Sequence, residues 1–88
     1  MPKETQIKFK DFLKVVKTCA NKKFAKFNII QKRGSAIRFE LFNNKNDEVP
    51  SKMWVVHESK YVYTDDLKKA CDNLEVTKEE FEKKLDEI

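Results

Sequence analysis

The stretch Lys32-Arg33-Gly34-Ser35-Ala36-Ile37-Arg38-Phe39-Glu40-Leu41-Phe42 holds the single glycine of the chain, set between a basic run and an alternating segment. Side chains in a strand point to opposite faces in turn, so Ile37, Phe39 and Leu41 share one face and Ala36, Arg38 and Glu40 the other. Gly34-Ser35 then reads as the turn into this strand. The polar face starts directly after the turn, with small Ser35 and Ala36 beside Lys32, Arg33 and Arg38. Cations around a gap of small residues suit a ledge for phosphate; a hairpin turn flanked by solvated charges accounts for the same residues without a ligand. Ala36 is the one apolar residue on that otherwise polar face.

Outward from this strand, Phe24 to Arg33 reads as the preceding strand, with Phe27 and Ile29 on one face and Ile30 blurring the alternation. Asn43-Asn44-Lys45-Asn46-Asp47-Glu48, closed by Pro50, is a polar loop. Lys52 to Glu58 is a third strand, in which Met53, Val55 and His57 share a face opposite Trp54, Val56 and Glu58. Upstream, residues 5–20 carry Phe9, Phe12, Leu13, Val16 and Ala20 at helical spacing, with Thr5 as the expected N-cap and Asn21-Lys22-Lys23 as the break. Lys8, Lys10, Lys14 and Lys17 lie mostly on the other faces of this helix and read as a solvated surface. Downstream, Thr64-Asp65-Asp66 opens a helix with a hydroxyl cap and a buried stripe of Leu67, Ala70, Cys71 and Leu74. A last helix starts at Thr77, where Thr77 and Glu80 have capping-box spacing and Val76 and Phe81 form the staple.

This order predicts an α+β fold over residues 1–88. It is a two-layer α-β-β-β-α(-α) sandwich in which helices cover one face of a three-stranded antiparallel sheet. Eighty-eight residues suit a single domain with one modest core. No apolar run reaches the ~20 residues that span a bilayer, and no apolar segment follows the basic N-terminus as in a signal peptide. The expectation is a cytoplasmic protein without a membrane partner. Cys19 and Cys71 fall on helices without metal-ligand spacing and read as small buried apolar residues.

The net charge of +4 conceals an asymmetry: residues 1–42 hold eleven Lys and Arg against three Asp and Glu, and residues 43–88 eight against twelve. A basic half carrying aromatics points to a polyanion such as nucleic acid, although lysines also serve simply to solubilise a small domain. One histidine cannot supply a His-metal cluster, and one glycine cannot build a P-loop or a dinucleotide fingerprint. No metal and no cofactor is expected.

The segment Phe27-Asn28-Ile29-Ile30-Gln31-Lys32-Arg33-Gly34-Ser35-Ala36, the later Val55-Val56-His57, the helix Asp66-Leu67-Lys68-Lys69-Ala70-Cys71, Leu74 and the Thr77–Phe81 helix start together resemble HicA-type toxins. The resemblance spans residues 9 to about 85. It implies a double-stranded-RNA-binding-domain-like sandwich, messenger RNA endoribonuclease activity, and a HicB-type antitoxin as partner. It also implies that position 36 is the general acid/base, that Gly34 and Ser35 steady the scissile phosphate, and that Lys32, Arg33, Arg38 and His57 form the RNA-binding rim. Arg38 has the alternative of pairing with Glu40 or a cross-strand acid, and His57 that of a structural strand residue.

Two positions depart from the family pattern. The histidine after Gly-Ser is Ala36, and the usual Pro-x-His is Val55-Val56-His57. A metal-independent ribonuclease needs a group of near-neutral pKa to move protons, and alanine has none. The chain therefore reads as the toxin with its catalytic ring removed, by deliberate replacement or by natural decay. A non-catalytic RNA- or DNA-binding module and a subunit whose basic face meets an acidic protein are the competing readings.

Overall fold

The computed structural model describes residues 4–31 and 33–87. Strand β1 (Glu4–Lys8) leads into helix α1 (Phe9–Lys23), followed by strands β2 (Lys26–Gln31), β3 (Ala36–Phe42), β4 (Lys52–His57) and β5 (Tyr61–Tyr63). Helices α2 (Thr64–Leu74) and α3 (Lys78–Asp86) complete the chain. The protein is thus α+β, with β2-β3-β4 forming a three-stranded antiparallel sheet and β1-β5 a separate antiparallel pair.

The alternation in β3 decides the layering. Ile37, Phe39 and Leu41 are buried, as are Trp54 and Val56 on β4, and they meet Phe12, Val15 and Val16 of α1, Leu67 and Leu74 of α2 and Phe81 of α3 in one core. Phe39 lies at the centre, its ring 5.1 Å from Trp54, 5.9 Å from Phe27 and 6.4 Å from Phe12 between centroids. The helices thus cover one face of the sheet. The other carries Ala36, Arg38 and Glu40 with their cross-strand partners His57, Val55 and Met53. Val55 and Met53 are 39% and 54% exposed, so much of this face is open to solvent.

Several boundaries differ from expectation. Residues 5–8 are strand, and Thr5 is no helix cap: its hydroxyl donates to the Val62 carbonyl at 2.8 Å and accepts from the Ile7 amide at 3.2 Å. Pairing with β5, which a short polar segment does not advertise, overrides helical spacing here. Helix α1 runs on through Asn21-Lys22-Lys23 to Lys23, because polar residues on the exposed side of a helix do not end it. Helix α2 is entered directly from β5, so Tyr63 takes the capping position and Thr64 is the first helical residue, with no side-chain cap among the described residues. β2 and β4 are trimmed to Lys26–Gln31 and Lys52–His57.

The start of α3 follows the capping spacing. Thr77 Oγ1 accepts from the Glu80 amide at 3.0 Å, and Phe81 is fully buried. Cys19 and Cys71 are buried free thiols in the core.

Candidate nucleic-acid interface

The turn before β3 is built on Gly34, whose φ of +72° is the left-handed conformation that side-chain-bearing residues resist. A Cβ added there would meet nothing within 4 Å among the described residues, so the glycine answers a backbone requirement and not a crowded site. Arg33 and Ser35 are exposed on the same turn. The Ser35 carbonyl accepts from the Glu58 amide at 2.7 Å, which extends the β3–β4 ladder and pins the turn to the chain after β4. Lys32 lies outside the described residues.

Ala36, half-buried, is the first residue of β3 and faces His57 across the ladder, on the face away from the helices. Directly opposed residues in an antiparallel pair place their Cβ atoms about 4.5–5.5 Å apart. The methyl group of Ala36 therefore sits beside the Cβ of the exposed His57, at the end of the sheet nearest the turn. Four predicted positions, Gly34, Ser35, Ala36 and His57, come together in this way.

Arg38 stands one step further along the same face and is engaged with a neighbour. Its Nε lies 3.5 Å from Glu40 Oε2, with the side chains 30% and 12% exposed. That nitrogen is buried and has no aligned hydrogen-bond partner among the described residues. Of the two roles open to Arg38, the pairing with Glu40 is the one formed here.

One residue that the sequence marked only as a helix-start acid holds this end of the sheet. Asp66, 5% exposed, accepts the His57 amide at Oδ2 over 3.1 Å. The amide at the end of β4 thereby gains a charged acceptor. The link also fixes the β4 terminus against the first turn of α2. The spacing Asp65-Asp66 gives no hint of it, since an acid in the first helical turn looks the same whether it faces water or another strand.

A second feature escaped the sequence. Lys8, Lys10, Lys14 and Lys17 are exposed, as expected, but they are not a featureless solvated face. With Lys60 and Glu58 they line a groove of about 540 Å³ between α1 and the end of the sheet.

The thiols are unsuited to nucleophilic work. Burial pushes both up, Cys71 to about 11, with the neighbouring Asp72 acting in the same direction. Among the described residues no three His, Cys, Asp or Glu side chains cluster in a way that would hold a metal ion. The chain matches no family model, and neither curated proteins nor solved structures give a match.

Proposed function

We propose that this chain is a HicA-type toxin scaffold, a metal-independent messenger RNA endoribonuclease, whose proton-transfer position is occupied by Ala36 so that it binds RNA and cuts it very slowly. The observation that carries the reading is the pairing of Ala36 with His57 on the open face of the sheet, beside the Gly34-Ser35 turn. An imidazole at position 36 would stand next to that of His57. One ring would take the proton of a ribose 2′-hydroxyl as its oxygen attacks phosphorus. The other would protonate the departing 5′-oxygen, leaving a 2′,3′-cyclic phosphate. Two such groups at neighbouring strand positions are what general acid/base catalysis requires.

Around this pair, Ser35 and the amides of the turn steady the scissile phosphate, and Arg33 meets a flanking one. Further support comes from the element order α1-β2-β3-β4-α2, which is that of the double-stranded-RNA-binding-domain-like sandwich; β1, β5 and α3 are additions to it. The exposed Met53 and Val55 give the same face apolar contacts for a HicB-type antitoxin, and the toxin acts in the cytoplasm.

Loss of one general acid/base costs about 10²–10⁴-fold in rate. Ala36→His is therefore expected to arrest growth on expression and to deplete transcripts, while the native chain does neither. Unchanged growth and intact transcripts in cells that accumulate folded Ala36→His protein would remove the ribonuclease reading.

A further inference from the structure

The lysine-lined groove beside α1 is separate from the Ala36–His57 pair, since its Ile29 shares the helix-side face of Phe39, and it is linked to the turn through Glu58 on its wall, whose amide donates to the Ser35 carbonyl. Lys8, Lys10, Lys14, Lys17 and Lys60 line it together with a single acidic residue, Glu58. Lys10, Lys14 and Lys17 are spaced by four and three residues and therefore stack along one side of the helix. At 1.5 Å of rise per residue they extend over about 10 Å of the axis. The floor is apolar: Phe9, Leu13 and Ile29 line it, and Ile29 is left 36% exposed at the uncovered edge of β2.

We propose that this groove binds single-stranded RNA that flanks the scissile position, the lysines holding successive phosphates and the Phe9-Leu13-Ile29 floor receiving a base or ribose. The inference rests on the reading of the turn as the site of the scissile phosphate. A row of like charges along one line matches the repeating charge of a phosphodiester backbone. An apolar floor between the lysines favours a single strand, whose bases are free to leave the stack, over a duplex, which offers only its backbone and shallow groove. An acidic protein would satisfy the lysines too, but the apolar floor between them suits a base or ribose, and the wall at Glu58 adjoins the turn read as the phosphate site.

The test measures binding of a fluorescein-labelled single-stranded RNA dodecamer by anisotropy across a series of salt concentrations, using the native Ala36 chain. The variants are Lys10→Gln/Lys14→Gln/Lys17→Gln and, as a control on the same helix away from the groove, Lys22→Gln/Lys23→Gln. Glutamine keeps helix propensity at these exposed positions, and far-ultraviolet circular dichroism checks the fold. Each phosphate contact on a single strand contributes about 0.7 to the slope of log K against log salt. The triple variant is expected to lower that slope by about 2 and the control to leave it unchanged. An unchanged slope in the triple variant overturns the proposal, as does polyglutamate displacing RNA at equal charge concentration. If the triple variant loses slope while Ala36→His fails to cut RNA, the groove stands and the ribonuclease reading alone falls.

Discussion

Asp66 offers the sharpest structural prediction, since one side chain joins the strand that carries His57 to the start of α2. The carboxylate is 5% exposed and accepts the His57 amide at 3.1 Å. A hydrogen bond to a charged group contributes about 1.5–3 kcal/mol net. An acid in the first turn of a helix adds roughly 0.3–1 kcal/mol through the helix dipole. Asp66→Ala removes both contributions and leaves the amide without its acceptor, for an expected loss of about 3 kcal/mol. Asp66→Asn keeps a carbonyl acceptor and loses only the charge, for about half that loss. In a domain of this size each kcal/mol moves the melting midpoint by roughly 4–8 °C, so Asp66→Ala should melt about 12–24 °C lower. Thermal and urea unfolding at pH 7, followed by circular dichroism, measure this, with an unchanged urea m-value showing that the unfolded reference is the same. Amide hydrogen exchange adds a local readout, in which the His57 amide should lose more protection than the centre of β3. An Asp66→Ala protein within about 0.5 kcal/mol of the native one, or an Asn variant that costs as much as Ala, would refute this role of Asp66.

Two further outcomes follow from particular residues. Gly34→Ala should destabilise by about 1 kcal/mol, because the strain of a side chain at φ +72° has no steric clash added to it; Gly34→Asn should cost less, and equal stability of Ala and Gly in urea unfolding would contradict this. Cys71 is held neutral by burial up to about pH 11, from its usual 9.0, so the folded state retains a proton that the unfolded chain has lost between those values. Its contribution is therefore complete below pH 9 and falls away by up to about 3 kcal/mol as pH rises to 11, and a Cys71→Ala protein measured alongside in urea should show a shallower decline over that window.

The parts of this molecule that the sequence disclosed are those whose physics is local. Alternation in 36–41 and the lone glycine placed β3 and its turn, and the Thr77–Glu80 spacing placed the start of α3, because each signal lies within a few residues. What stayed hidden depends on distant partners. Thr5 bonds to Val62, 57 positions away, and that pairing makes a strand of residues that helical spacing had claimed. Tyr63 displaced Thr64 from the capping position because β5 runs straight into α2, a junction that hydroxyl preference does not encode.

The site divides in the same way. The open face of β3 was legible from alternation, but the register that sets Ala36 opposite His57 exists only once β3 and β4 are paired. Lys10, Lys14 and Lys17 read as solvent-facing, which they are. Their groove appears only when β2 and the chain after β4 close around α1.

The most direct measurement is cleavage of a 5′-labelled RNA by purified Ala36→His protein in the presence of EDTA, with His57→Ala added to the same background. Cleavage is expected about 10²–10⁴-fold faster than by the native chain, with 2′,3′-cyclic phosphate ends and a large loss of rate when His57 is also removed. RNA left intact by folded Ala36→His protein would contradict the ribonuclease reading.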